Sequence, residues 1–140
     1  MWIIYALTAA ILWGLNYSLS ERILASISAY SLLALEMIFG GIFFAFLSYL
    51  GPWKKDLQIL ASDSQVLKYT LIEILVLTIA SFCIVVSIRE KNATAAGIVE
   101  LLYPLFTIGF SWFLFRENHV DTSVIIGGIL IFIGVVLIAR

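Results

Sequence analysis

Five long apolar stretches constrain this chain more than any other feature of its sequence. The hydrocarbon core of a bilayer is about 30 Å thick and takes roughly 20 apolar helical residues to cross. None of the stretches alternates in the way barrel strands do, and lipid does not tolerate unpaired backbone groups, which leaves helices. The sequence therefore predicts an all-α integral membrane protein with five transmembrane helices. The predicted spans are Trp2–Ser20, Ala29–Leu50, Tyr69–Ile88, Ala93–Phe115 and Ser123–Ala139.

The composition excludes several other classes of protein. Of the 140 residues, 63% are hydrophobic and 12% are charged, whereas a soluble domain is about half apolar and about a quarter charged. Eight Lys and Arg against nine Asp and Glu create no basic field for nucleic acid. Cys83 is the only cysteine and cannot form a disulfide within the chain. Residues 1–140 are thus predicted to form one multi-pass membrane domain. We expect it in the plasma or inner membrane of a prokaryote.

The segments between the spans are short, with one exception. Gly51–Lys68 is longer and opens with Gly-Pro, a strong signal for the end of a helix. Its middle, Leu57–Leu60, is predicted to lie along the membrane interface. His119, in the last loop, is expected to be solvated rather than a metal ligand, and no metal or cofactor site is predicted. The other connections are predicted as polar turns or a tight charged hairpin, at Ser20–Ser28, Arg89–Asn92 and Arg116–Thr122.

The basic residues are divided evenly between the two sides of the predicted membrane domain. Lys54, Lys55, Lys68 and Arg116 fall on the side of the N-terminus, and Arg22, Arg89, Lys91 and Arg140 fall on the other. Because orientation normally follows an excess of Lys and Arg in cytoplasmic loops, this tie favours dual topology and pairing with an inverted copy. The alternative is a chance tie, with partner subunits or the N-terminal loops deciding orientation. Transporters are commonly built from two inverted repeats, and this chain has the size of one.

Three carboxylates lie inside the predicted spans: Glu36, Glu73 and Glu100. A charge at the bilayer centre costs at least about 2.5 kcal/mol on insertion scales, and such residues usually face a pathway or a proton relay. Glu36 and Glu100 enter their spans from the same side, near the depth of Asn16, and could form one polar layer. Glu73 enters from the opposite side and would reach that layer in an inverted copy. As alternatives, Glu73 could reach headgroup water or pair with Lys68, and Glu36 could be a structural ion-pair partner.

Three further side chains are predicted to bind substrate or protons together with these acids. Tyr103 lies on the same helical stripe as Glu100 and could donate a hydrogen bond to it or to substrate. Trp13 could stack on a cationic substrate, although aromatic residues in spans often only pack. Asn16 could bind substrate or hold helices together.

The last span carries Gly127, Gly128 and Gly134 and no charge. Small residues let helix backbones approach closely and support association in lipid. We predict a contact between these glycines and the last helix of a partner, with packing inside the chain as the alternative.

The order of short motifs along the chain resembles that of a known family. Trp13-Gly14-Leu15-Asn16 closes the first span, Ala95-Ala96-Gly97 opens the fourth, and Pro104 interrupts it. Glu117 then precedes the last helix, which contains Ile126–Ile131 and Gly134–Leu137. The whole chain resembles a single EamA-type domain of the drug/metabolite transporter superfamily, and its last helix is distantly similar to the small multidrug resistance family, whose members work as antiparallel dimers.

That resemblance implies a carrier driven by protons or another gradient, with a central cavity. One residue departs from the pattern, because Glu36 stands where the family usually has Arg, so relatives are an unsafe guide to the substrate. We expect a homodimer that exchanges protons for small organic cations, amines or related metabolites by alternating access. The alternatives are an obligate subunit of a heteromeric transporter or lipid-carrier flippase, or a membrane assembly protein. No motif with catalytic spacing predicts an enzyme.

Overall fold

Helices account for nearly all of the computed structural model, which describes residues 1–117 and 121–138. The described part of the chain contains no strand. His119, Ala139 and Arg140, which the sequence predictions involve, lie outside the described residues. The helices are α1 (Trp2–Leu24), α2 (Ala29–Leu50), α3 (Trp53–Ser62), α4 (Ser64–Glu90), α5 (Ala93–Glu100), α6 (Tyr103–Phe110), which continues into one π-helical turn (Ser111–Phe115), and α7 (Thr122–Ile138).

Four segments are long and apolar enough to cross a membrane. They are α1, α2, α4 and the stretch Ala93–Phe115, which contains α5, α6 and the π-helical turn. Helix α7 is apolar too, but its 17 described residues reach only about 25 Å at 1.5 Å per residue. The prediction of an all-α, multi-pass membrane protein is confirmed at this level, and the assignment of α7 as a fifth span stays a prediction.

Several helices begin or end at different residues from the predicted spans, because capping and backbone chemistry set the ends. Helix α1 continues past Ser20 to Leu24. Helix α4 begins five residues earlier than Tyr69, since Asp63 accepts the N–H groups of Gln65 and Val66.

The fourth predicted span is not one continuous helix. It breaks at Leu101–Leu102, just before Pro104, which lies in the first turn of α6. Proline has no N–H to donate and is accepted readily only at the start of a helix. The predicted interfacial segment Leu57–Leu60 lies within the separate short helix α3.

The buried core lies at one end of the bundle, where α1 ends, α2 begins, α4 ends and α5 begins. We call this region the closed end; its buried residues are Leu24, Ala29, Leu32, Val85, Ile88, Ala93 and Ala96. Away from it the helices are hardly covered by one another. Every side chain from Trp2 to Leu15 in α1, and from Leu71 to Ala80 in α4, is exposed. The chain therefore leaves most of its apolar surface for lipid or a partner.

A carboxylate links α1 to α5 at the closed end. Glu21 accepts a hydrogen bond from the backbone N–H of Ala93, with 2.7 Å between Oε2 and N. The side chain of Asn92 accepts the N–H of Ala95, also at 2.7 Å. A carboxylate at this position satisfies an unpaired donor and lies at the positive end of the helix dipole. The start of α5 is thus fixed to the end of α1.

The last described helix has a similar start. Asp121 accepts hydrogen bonds from the Ser123 hydroxyl at 2.7 Å and from the Val124 N–H at 2.9 Å. These bonds, that of Ser123 first, hold the pKa of Asp121 below its usual range. The cap is therefore charged at neutral pH, which suits the N-terminus of α7.

Replacement of Glu21 tests the link between α1 and α5. Glu21→Ala should lower the free energy of unfolding by about 1–2 kcal/mol, because it removes a helix cap together with a favourable charge. Glu21→Gln keeps an acceptor oxygen and should retain part of that stability. Thermal unfolding of the purified protein in detergent measures both. Glu90→Ala, at an exposed position near the end of α4, is the control, and equal losses for Glu21→Ala and Glu90→Ala would contradict the link.

Candidate functional site

A half-open cavity of about 1050 Å³ lies between α1, α2, α4 and α5, and Tyr103 at the start of α6 completes its wall. Its lining runs from Ala10 and Leu77, among exposed residues, to Ser20 and Ile88, which are buried at the closed end. The cavity therefore has its floor at the closed end. It exists because the four helices pack closely at that end, whereas most of α1 and α4 away from it is exposed.

Polar side chains from all four helices lie at one depth in this cavity. The closed end is marked by Leu24, Ala29, Glu90 and Ala93, the terminal residues of α1, α2, α4 and α5 there. The polar side chains lie seven to nine residues from these termini, which is about 10–14 Å by helical rise. We call them the polar layer: Asn16, Tyr17, Glu36, Ser81 and Glu100, all of which line the cavity.

The Tyr17 hydroxyl donates a hydrogen bond to Glu100 Oε2, joining α1 to α5 within the layer. A glycine makes this approach possible. A Cβ atom on Gly97 would lie 3.3 Å from Tyr17 Cδ2, which is close contact, so the ring lies directly on the α5 backbone. The Tyr17 ring also meets Trp13 edge to face, with 5.7 Å between ring centroids. Trp13, Tyr17 and Glu100 thus form one continuous polar and aromatic wall.

The structure brings five of the six predicted substrate- or proton-binding residues to the cavity. Trp13, Asn16, Glu36, Glu100 and Tyr103 all belong to its lining.

Glu73, the sixth predicted residue, lies outside the lining, among the exposed residues of α4. Within one chain it does not share a site with the other acids.

Sequence reasoning missed several polar residues of the lining. Tyr17 follows Asn16 directly and lies one helical turn after Trp13, so the 3.6-residue periodicity of α1 would also admit it. Ser81 and Thr94 also line the cavity, and as single hydroxyls in apolar helices they gave no recognisable signal.

The three glycines of α7 have different surroundings. Gly128 is buried, and a Cβ atom there would lie 2.7 Å from Leu105 Cδ2, so Gly128 packs within the chain against α6. Gly127 and Gly134 have nothing within 4 Å of their Cβ positions. These two remain open for the predicted dimer contact.

Comparison with known proteins gives one family. The model of the EamA-like transporter family matches residues 1–140. Comparisons with the curated proteins and with the solved structures give no significant match.

Substitution of Gly97 tests the contact that brings Tyr17 to Glu100. Gly109 on α6 has nothing within 4 Å of its Cβ position, so Gly109→Ala should stabilise the helix by up to about 1 kcal/mol. Gly97→Ala should instead destabilise the protein, because the Tyr17 ring, held by its bond to Glu100, must shift by a few tenths of an ångström. In a Tyr17→Ala background the same change should become stabilising, since the ring is gone. Thermal unfolding measures the stability of the parent, Gly109→Ala, Gly97→Ala, Tyr17→Ala and the double variant Gly97→Ala, Tyr17→Ala. An equal effect of Gly97→Ala in the parent and in the Tyr17→Ala background would contradict the contact.

Proposed function

Because the chain belongs to the EamA-like transporter family, we propose that it is a secondary active transporter that exchanges protons for small organic cations, amines or related metabolites. The chain is a membrane protein of a family of transporters, not enzymes. The proposal concerns what is carried and how the flux is coupled.

The charge of the cavity carries this proposal. Glu36 and Glu100 line it, and among the lining residues that the structure describes there is no Lys, Arg or His. In the low dielectric of a membrane, a carboxylate without a basic partner favours a cation or a proton, since either neutralises its charge. The aromatic side chains of Trp13, Tyr17 and Tyr103 add ring faces that attract cations. An anion would find no compensating charge in this wall.

Glu36 and Glu100 can also couple the flux of protons to the flux of organic cations. A carboxylate that holds a proton has no charge to offer an organic cation, and one that holds the cation does not bind the proton well. Glu100 would be the principal exchange site, because the Tyr17 hydroxyl already fixes its orientation. Glu36 would supply the second negative charge in the polar layer.

We further propose that an inverted second copy completes the transport path. The cavity is closed at one end only, and exposed apolar surface on α1 and α4 is available for a partner. Glu73 lies nine residues from the start of α4, which is about 14 Å by helical rise. In an inverted copy, the start of α4 would lie on the side of the first chain's closed end. That depth is close to the polar layer of the first chain, so Glu73 could serve the shared path. In this arrangement α7 is the fifth span, and Gly127 and Gly134 contact the partner.

Transport in liposomes tests the proposed exchange. With a pH gradient imposed, addition of small amines or quaternary ammonium ions should change the internal pH when the parent protein is present. Glu100→Gln should abolish this coupling while leaving the folded protein intact, because the amide cannot exchange a proton. Asp56→Asn, on the exposed face of α3, should behave like the parent. Parent-like coupling in Glu100→Gln would contradict the assignment of Glu100.

A further inference from the structure

The floor of the cavity holds a hydroxyl group that the protein itself does not use. Ser20 is 3% exposed and is the one buried polar residue in the described part of the chain. It lines the cavity, and its hydroxyl bonds no residue that the structure describes. In the described part of the chain, every fully buried side-chain N or O atom has a hydrogen-bond partner. The small exposed area of Ser20 therefore includes its oxygen, and the cavity is the space that Ser20 lines.

Four threonine hydroxyls outside the cavity behave differently. Each donates to a backbone carbonyl one turn earlier in its own helix, with oxygen–oxygen distances of 2.8–3.1 Å. Such a bond satisfies the hydroxyl where no other partner is available. These residues are Thr8, Thr70, Thr78 and Thr107. The hydroxyl of Ser20 lacks even this bond, so it is free to bind a group that enters the cavity.

A second hydroxyl lies near the floor, on a different helix. Thr94 is in the first turn of α5, lines the cavity, and makes no side-chain hydrogen bond to the described residues. Ser20 lies one helical turn deeper than Tyr17, and Thr94 lies six residues deeper than Glu100 along α5. The two hydroxyls therefore lie about one to two turns, or 5–9 Å, below the carboxylates. We call them the floor hydroxyls.

We propose that the floor hydroxyls form a second subsite, which hydrogen-bonds an uncharged polar group of the transported cation. This rests on the proposed function, since the cationic group is assigned to Glu100 and Glu36. A hydroxyl both donates and accepts, so the subsite suits a hydroxyl or carbonyl oxygen. The preferred substrates are short cations that carry such an oxygen a few atoms from the nitrogen, rather than purely alkyl ammonium ions. A site with groups placed to hydrogen-bond rejects an analogue that leaves them unpaired.

A matched pair of probes tests the subsite. (3-Hydroxypropyl)trimethylammonium and butyltrimethylammonium have the same charge and nearly the same size, and differ by a hydroxyl in place of a methyl group. Calorimetric titration of the protein in lipid nanodiscs should give about 3- to 10-fold tighter binding for the hydroxylated probe, the range of one neutral hydrogen bond. The double variant Ser20→Ala, Thr94→Val should lose this preference, because the hydroxylated probe loses its partners and the butyl probe no longer leaves hydroxyls unpaired. Thr8→Val, outside the cavity, should keep the preference.

The outcomes distinguish a failure of the subsite from a failure of the proposed function. Equal binding of the two probes by the parent, or a preference that survives in the double variant, overturns the subsite while cation binding stands. If neither probe binds the parent, and neither drives proton flux in liposomes, the proposed function fails and the subsite with it. Single variants Ser20→Ala and Thr94→Val, each checked by thermal unfolding, serve in case the double variant does not fold. Either one should then reduce the preference.

Discussion

The rest of this structure depends on the contact among four helix ends at the closed end. Leu24, Ala29, Ile88 and Ala93 bury one another there, and Glu21 links α1 to the backbone of α5. Since the helices cover one another little away from this end, their remaining length encloses a cavity with a floor and an open side. A tightly packed bundle of the same helices would bury the carboxylates against apolar side chains. The one-sided packing is therefore what makes the acids accessible.

Accessibility also explains how the chain accommodates two acids at one level of its helices. A carboxylate in hydrocarbon is costly by any scale, and a second one at the same depth adds repulsion. The hydrogen bond from the Tyr17 hydroxyl offsets part of the cost of placing the Glu100 carboxylate in the membrane. The position of Glu36 on the cavity wall offsets part of the same cost for its carboxylate. Neither acid has a basic partner in the lining that the structure describes. The negative charge is left for a ligand to neutralise, which is the physical basis for expecting a cation or a proton.

The sequence was sufficient for the helical class, because runs of about 20 apolar residues have few other solutions in lipid. It was less informative about where helices end. Asp63 is a recognisable cap, yet the apolar pattern alone placed the start of α4 at Tyr69, and Pro104 indicated an interruption without giving its position. The polar layer was partly predictable, since Asn16, Glu36 and Glu100 could be placed at one depth by counting residues.

Contacts between distant segments could not be predicted in this way. The bond between Tyr17 and Glu100 joins residues 83 positions apart, and helical periodicity says nothing about which faces meet. For the same reason, counting residues gave the depth of Glu73 in its helix but not its position outside the cavity. It also could not separate Gly128, packed on Leu105, from Gly127 beside it. Those distinctions depend on tertiary packing.

In the proposed transport path, one chain supplies one half and an inverted copy supplies the other half. Asp56→Cys in a Cys83→Ser background places a single thiol on exposed α3 and leaves the Lys and Arg count unchanged. Labelling of sealed membrane vesicles with an impermeant maleimide, before and after permeabilisation, measures the side on which α3 lies. Pairing of inverted copies predicts that comparable fractions of the protein have α3 on each of the two sides, and that oppositely oriented copies are recovered together by crosslinking. Labelling from one side alone would contradict it.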